Sequence, residues 1–331
     1  MAQDHVLLIS DKEVKDLLSM DETIEAVEEA FKAKGLSKTQ MPPKSYLFFD
    51  SYQGDVRIMP SYLESIDSAG VKIITVHPNN PTKFGIPTVM GIITLIDPRT
   101  GAVTAIIDGT YITSMRTGAA GAVATKYLAR KNSGRLGLVG AGVQARTQLL
   151  AISRVLKLEE VYVWSIPEST IDSFIHTEQK NFDFKFIHCR SCEDCVSKSD
   201  VISTVTPSSN PIVDSGWVTA GTHINAMGAD APGKEELDPR LLLKSKVIVD
   251  DVTQAVHSGE INVPISKNLF SESGIYCELS DVVTGKKIGR ESDGEITIFD
   301  STGLSLLDVS TATLVYRKAV ESNIGTPARL H

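Results

Sequence analysis

The stretch Arg135–Ala145, RLGLVGAGVQA, decides the fold of this chain. It passes from a hydrophobic strand through the pattern G-x-G-x-x-A into a helix. Gly140 permits a tight turn there, and Gly142 lets the backbone approach a pyrophosphate. Ala145 is small enough to keep helix and strand close, a task often given to a third glycine. The start of the helix presents unpaired N–H groups to phosphates. A tight strand–helix turn without a ligand has the same glycines; strand, turn and helix in this order favour a dinucleotide.

The next strand, VYVWS, ends at Ser165, where an NAD site usually has an acid for the ribose hydroxyls. Serine can donate to a 2′-phosphate, which leans towards NADP, but no Arg or Lys follows to hold that charge. Glu168 reaches a ribose only if its loop curls back. NAD is the expected cofactor, with NADP left open.

Outward from this turn, LGLVG, VYVWS, FKFIHC, DVISTVT, HINAMG and KVIVDD are apolar strand candidates, several of them separated by helical stretches. Such a series describes an α/β fold with a doubly wound parallel sheet. Upstream, Ser19 and Glu22 form a capping box that opens a helix with Ile24, Val27 and Phe31 on one face. SYLFF, RIMPSYL, GVKIITVHP, TVMGIITLID and AVTAIID then read as short strands between Gly, Pro and Asp turns, a largely antiparallel α+β lobe. TYITSMRTGAAGAVATKYLAR is a long helix rich in small residues. A last helix, about Ser305 to Glu321, lies beyond the parallel sheet and is free to return to the first lobe. The expected division is 1–115 plus 305–331 for the α+β domain and 116–304 for an inserted Rossmann domain.

Composition narrows the function. In 331 residues, a net charge of −8 argues against a general nucleic-acid binder, which needs clustered Lys and Arg. The longest apolar run, VMGIITLI, is too short to cross a bilayer. MAQDHVLLISDKEV lacks a basic region followed by a long apolar one, so a cytoplasmic enzyme is expected. Three of the four cysteines crowd into HCRSCEDC (His188–Cys195). FKFIHC as a strand and CEDCVSKSD as a short helix would point these thiols in different directions, and no second Cys/His pair follows at zinc spacing; no metal is expected.

Four cations occupy unusual settings: Lys44 after Pro-Pro in MPPKSYLFF, Arg57 in GDVRIMPSYL, Lys72 inside AGVKIITV, and Arg116 in SMRTGAAGA. Each alone fits an edge position with a snorkelling stem. Together they suit a carboxylate-bearing substrate held by forked contacts. Alternation aims Lys72 inward with Ile74, and a desolvated lysine exchanges protons near neutrality. Asp230, in NAMGADAPGK, follows a strand of the nucleotide domain, where ligands meet strand ends; the plainer reading is a turn aspartate. No nucleophile–base signature is present.

MPPK, GDVRIMP, VKIITVHPNNP, GIPTVMG, SMRTGAAGAVATKYLAR, GLVGAGVQA, INAMGADAPGKEELD and ESDGEITIFDSTGL resemble the ornithine cyclodeaminase/mu-crystallin family, and within it the archaeal-type alanine dehydrogenases. The resemblance runs from about Ser10 to about Glu321. It implies a homodimer in which the first lobe and last helix form the substrate and dimerisation domain. It implies that Lys44, Arg57 and Arg116 hold a substrate carboxylate, that Lys72 transfers a proton, and that Asp230 positions the group attacking an imine carbon. Thr88, in GIPTVMG, is expected among the substrate contacts. Thr117, Gly140, Gly142, Val143, Gln144, Ser165 and Ser301 match cofactor contacts, with Thr206, Met227 and Gly228 near the nicotinamide. Ser165 departs from the family's usual NAD preference.

The implied reaction is hydride transfer between an α-amino carbon and a nicotinamide through an imine, as in L-alanine with NAD+ and water giving pyruvate, ammonia and NADH. An ornithine cyclodeaminase and a cyclic ketimine or pyrroline-2-carboxylate reductase are the alternatives on the same site. A cofactor-bound storage protein, like the crystallin relatives, would be expected to lack Lys72 or Asp230, and both are present.

Overall fold

Alternation over the first hundred residues builds a sheet with one face buried and one exposed. The computed structural model describes residues 5–329. They divide at Arg116/Thr117 and Gly303/Leu304 into two compact units, the second inserted in chain order between the two pieces of the first.

In the first unit the strands are β1 (Val6–Ile9), β2 (Thr39–Gln40), β3 (Ser45–Phe49), β4 (Gly54–Leu63), β5 (Ser68–Val76), β6 (Val89–Ile96) and β7 (Val103–Asp108). With a last strand, Thr326–Ala328, they run in the order last–β1–β7–β6–β5–β4–β2, and β3 also pairs with β4. All pairings are antiparallel except that of β1 with β7. Arg57, Met59, Ser61 and Leu63 of β4 are buried, as are Ser68, Lys72 and Ile74 of β5. Met59 lies opposite Lys72, and Lys72 opposite Ile93, so these side chains share one face. The last helix, Ser305–Ser322, covers that face. Ser305 Oγ donates to the Pro60 carbonyl at 2.9 Å, and the Ser68 and Thr313 hydroxyls meet at 2.7 Å. On the other face Ile58, Ile73 and Ile92 lie in register across β4, β5 and β6, with 37, 38 and 43% of their surfaces exposed.

The helix Met20–Gly35 begins at Ser19, whose side chain accepts from the Glu22 N–H and whose hydroxyl donates to Glu22 Oε2 at 2.5 Å. A complete reciprocal capping box stands one helix earlier, between Ser10 and Glu13 at the head of Asp11–Leu17. That helix is too short for its apolar period to be legible in the sequence. Ile24, Val27 and Phe31 are buried as their spacing requires.

The helix Gly109–Leu128 carries the chain into the second unit. Its strands are β8 (Arg135–Val139), β9 (Glu160–Trp164), β10 (Lys185–His188), β11 (Val201–Thr204), β12 (Ser209–Val213), β13 (His223–Ala226), β14 (Glu235–Leu237), β15 (Lys246–Val249), β16 (Ile275–Glu278) and β17 (Thr297–Asp300). The order is β10–β9–β8–β11–β13–β17–β15–β16, parallel throughout, with β12 and β14 forming a separate pair. This is the doubly wound sheet of the sequence reading, with two strands more. IYCE and TIFD are four-residue runs that show no period, yet β17 fills the space between β13 and β15. Strand order reverses at β8, with β9 on one side and β11 on the other. Such a switch point opens a crevice at the carboxyl ends of the strands.

The cysteine cluster corrects one expectation. Cys189, Cys192 and Cys195 do not diverge but are buried in one hydrophobic core, where the Cys189 thiol donates to the Ile187 carbonyl at 3.8 Å and the Cys195 thiol to the Tyr162 carbonyl at 3.4 Å. Cys192 and Cys195 stand three residues apart on the helix Cys192–Ser197, hence on one face, and the helix packs on β8, β9 and β12. Among the described residues no group of three His, Cys, Asp or Glu is arranged to hold a metal ion, and no helix is long and apolar enough to cross a membrane.

Candidate active site

The glycine-rich turn after β8 adopts the geometry its sequence demands. Gly140 has φ +112°, and a Cβ there would stand 3.0 Å from Val205 Cγ2. A Cβ on Gly142 would meet nothing within 4 Å, so open space faces that backbone. No side chain caps the helix Val143–Val155, which leaves its first N–H groups available to a phosphate. Gly140, Ala141, Gly142, Trp164, Ser165, Ile166, Val205 and Thr206 are among the walls of a cleft of about 420 Å³ at the switch point. A bare helix end, an open glycine and a crevice of this kind fit a dinucleotide.

Four of the expected cofactor residues, Gly140, Gly142, Ser165 and Thr206, therefore share this cleft. Val143 is largely exposed at the head of the adjoining helix, and Gln144 Oε1 accepts from the Thr147 hydroxyl at 3.2 Å. Glu168 does not curl back towards the cleft. It meets His188 Nε2 at 3.0 Å, while His188 Nδ1 meets Asp172 at 2.9 Å. None of the residues lining the cleft is Lys or Arg. Thr117 and Ser301 lie outside that lining. The Thr117 carbonyl accepts from Gln148 Nε2 at 3.0 Å, and Ser301 Oγ donates to Asp250 at 3.4 Å.

Thr206 and Gly228 are tied together, with Thr204, by a residue that the sequence did not single out. Glu236 Oε1 accepts from the N–H and the hydroxyl of Thr206, both at 2.7 Å. Its Oε2 accepts from Thr204 Oγ1 at 2.7 Å and from the Gly228 N–H at 2.9 Å. One buried carboxylate thus fixes the ends of β11 and β13. A Cβ on Gly228 would stand 2.2 Å from the Thr206 carbonyl, so only glycine fits. Met227 is buried and donates its N–H to the Thr204 carbonyl. Glu260 accepts from the N–H groups of Glu236 and Leu237; burial and the neighbouring Glu236 carboxylate push its own carboxyl well up. Glu236 lies between Glu235 and Leu237 in the short strand β14, so nothing in its local pattern singled it out.

Asp230, in the loop between β13 and β14, pairs with Lys234 at 2.5 Å with its side chain about a third exposed. Its N–H donates to the Gly228 carbonyl at 3.0 Å. The Asp230 carboxylate is thus paired with a lysine four residues on.

The first unit holds the cations. Lys72 is 1% exposed, and its Nζ donates to Asp308 Oδ1 at 2.8 Å. Arg116 Nε donates to the same oxygen at 2.9 Å. Asp308 Oδ2 is buried with no hydrogen-bond partner, an arrangement that costs on the order of 1–3 kcal/mol. Burial pushes the Lys72 ammonium down to about 7; Asp308 opposes that fall, while Arg116 and Lys44 add to it. Arg57, also buried, donates to Asp55 through Nε at 2.9 Å and Nη2 at 3.3 Å, with its guanidinium 5.6 Å from the centre of the Tyr46 ring. Lys44 is half-buried just before β3. Thr88 stands just before β6, its carbonyl accepting from the His77 N–H at 2.8 Å. Asp308 was not anticipated, although it is the only acid between Ser305 and Val320 in a helix otherwise made mostly of small and apolar residues. The cluster combines forked donors suited to a carboxylate with a lysine able to give or take a proton near neutrality.

Comparison with known proteins agrees with this geometry. The model of the ornithine cyclodeaminase/mu-crystallin family matches residues 4–323. An alanine dehydrogenase of Archaeoglobus fulgidus is 47% identical over 321 residues, 97% of each chain. The solved structure of an archaeal alanine dehydrogenase dimer with bound NAD superposes with a TM-score of 0.94 at 46% identity, over 99% of this chain and 100% of that one. A Delta(1)-pyrroline-2-carboxylate reductase of Thermococcus litoralis, in complex with NADH and L-proline, superposes with a TM-score of 0.92 at 41% identity, over 97 and 99% of the two chains.

Proposed function

The chain belongs to the ornithine cyclodeaminase/mu-crystallin family, and we propose on that footing that it is an NAD-dependent oxidoreductase of the alanine dehydrogenase type. It interconverts L-alanine with pyruvate and ammonia through an imine. The observation that carries this reading is the buried Lys72, held near 7 beside Arg116 in one cluster.

When bound in the cleft of the second unit, the nicotinamide supplies or accepts the hydride exchanged at the substrate α-carbon. The rest falls to side chains. Lys44, Arg57 and Arg116 hold the substrate carboxylate, with the two guanidinium groups giving it a fixed orientation. In the reductive direction Lys72 gives a proton to the oxygen that leaves pyruvate as water when the imine forms. In the oxidative direction it takes a proton from the water that attacks the imine, and Asp230 positions that water. Thr206 and Gly228, set in place by Glu236, form with Met227 the nicotinamide end of the cofactor site, and Thr117, Val143, Gln144, Ser165 and Ser301 contribute further contacts. The similar solved structures hold NAD or NADH, and a cleft lined by no Lys or Arg gives a 2′-phosphate no cationic partner.

The first unit, which ends one residue later than expected at Arg116 and resumes one earlier at Leu304, then serves substrate binding and dimerisation, and the second, Thr117–Gly303, binds the nucleotide. A homodimer is supported by the exposed row Ile58–Ile73–Ile92, an apolar stripe that a second copy would cover. A cytoplasmic location belongs to the same proposal, in keeping with four free cysteines. A second reading, reduction of a cyclic imine, is favoured by the L-proline complex of the Thermococcus litoralis relative and needs the same residues without free ammonia. Ornithine cyclisation would need them too.

The test is to offer the purified protein pyruvate with ammonia, ornithine, and a cyclic ketimine, each with NADH and with NADPH. Absorbance and product are followed. Oxidation of NADH that requires both pyruvate and ammonia supports the proposal; oxidation with the cyclic imine alone overturns it in favour of the reductase.

A further inference from the structure

Two cations from different elements converge on one oxygen of Asp308 while its other oxygen is left without a partner. Lys72 comes from β5, Arg116 from the helix Gly109–Leu128, and Asp308 from the helix that covers the sheet. A carboxylate that served only to neutralise two buried cations would offer one oxygen to each. Sharing Oδ1 instead brings Nζ of Lys72 and Nε of Arg116 together around a single point. It also ties the position of each to that of the other.

The charged groups that act most strongly on Lys72 are Asp308, Arg116, and Lys44 from the segment before β3. Its register partners on β4 and β6, Met59 and Ile93, are apolar. Asp308 is thus the negative neighbour that chiefly opposes burial and two positive charges. We propose that Asp308 is a positioning residue that holds Lys72 and Arg116 in register through its shared oxygen and supplies the counter-charge by which Lys72 keeps a proton available. The inference rests on the reading of Lys72 as the proton-transferring group, and it assigns a role to a wholly buried residue that acts through Lys72 and Arg116.

The test reads Lys72 directly. Lysines are labelled with 13C at Cε in the NAD-loaded protein, and Lys72 is assigned as the resonance missing from Lys72→Met. In the wild-type protein this resonance titrates near 7. In Asp308→Asn the chief opposing charge is gone, and its midpoint falls by about one unit or more. A midpoint that stays in place or rises overturns the proposal. The acid-form limb of the kinetic pH profile should move with the resonance. If the resonance moves and the limb does not, the counter-charge role stands and the assignment of Lys72 as proton donor falls.

Asp308→Glu carries the test if the asparagine variant does not fold. It keeps the charge but displaces the shared oxygen by one methylene. Lys72 then titrates close to wild type, while kcat falls about tenfold or more and KM for the carboxylate substrate rises. Wild-type kcat and KM in this variant would overturn the positioning role.

Discussion

Lys72 and Arg116 donate to the same oxygen of Asp308, at 2.8 and 2.9 Å, in the buried interior of the first unit. One residue handles the proton and the other the substrate carboxylate in the proposed reaction. Their common acceptor means that neither side chain moves independently of the other. A buried lysine with one carboxylate partner and two positive neighbours is poised to change protonation near neutral pH.

Lys72→Met tests that poise. Turnover falls by at least about a hundredfold, the scale of a lost general acid–base, while the dissociation constant for NADH stays within about twofold of wild type. Fluorescence titration and initial rates measure the two. In the wild-type enzyme Lys72 loses its acid form as pH rises through about 7, so the rate of pyruvate amination declines above that point. A methionine variant with near-normal turnover removes Lys72 from the mechanism.

Ser165 lines the cofactor cleft in the place of the usual ribose-binding acid. Ser165→Asp adds an acceptor for ribose hydroxyls and a charge that repels a 2′-phosphate. The ratio of kcat/KM for NADH over NADPH is expected to rise about tenfold or more. An unchanged ratio would show that Ser165 does not face the ribose.

The in-register row Ile58, Ile73 and Ile92 is the proposed dimer surface. Ile73→Lys places a charge at its centre, costly to bury without a partner. Light scattering after gel filtration is expected to give twice the chain mass for the wild-type protein and a concentration-dependent shift towards the monomer for the variant. A variant with unaltered mass places the interface elsewhere.

His223 concerns stability, not catalysis. It is wholly buried between Thr297 Oγ1 at 2.9 Å and Asn225 Oδ1 at 3.0 Å, and burial pushes it from its ordinary 6.5 down to about 3. Between those values the unfolded chain binds a proton that the folded chain does not. Stability from this site is therefore full above about 6.5 and is lost as pH falls towards 3. His223→Gln is expected to lower stability by about 1–2 kcal/mol at neutral pH through poorer hydrogen bonding. It should also remove about one proton from the uptake on acid unfolding between pH 6 and 4. Thermal melts across that range read both effects, and an unchanged acid slope would show that His223 does not titrate in the unfolding reaction.

The sequence by itself determined the parts whose physics is local. RLGLVGAGVQA specified a tight turn, a close backbone and a bare helix end, because glycine conformation and helix termini need no distant partner. Alternation in GVKIITV specified that Lys72 faces inward, since a strand has a period of two. The strands β8, β9, β10, β11, β13 and β15 were legible as apolar runs, several of them between helical stretches. IYCE and TIFD, no shorter than four of these, were passed over, and their place is set by the strands they join.

The tertiary structure decided which distant charges meet. Lys72 and Asp308 are 236 residues apart, and Arg116 and Asp308 are 192 apart. Glu236 gathers Thr204, Thr206 and Gly228 only once β11 and β13 lie side by side. Cys189 and Cys195, read from the sequence as diverging, share one core because the helix Cys192–Ser197 is buried there too. Burial makes each of these encounters matter, since a charge or thiol removed from water answers to the few groups beside it, and the chain order does not say which groups those will be.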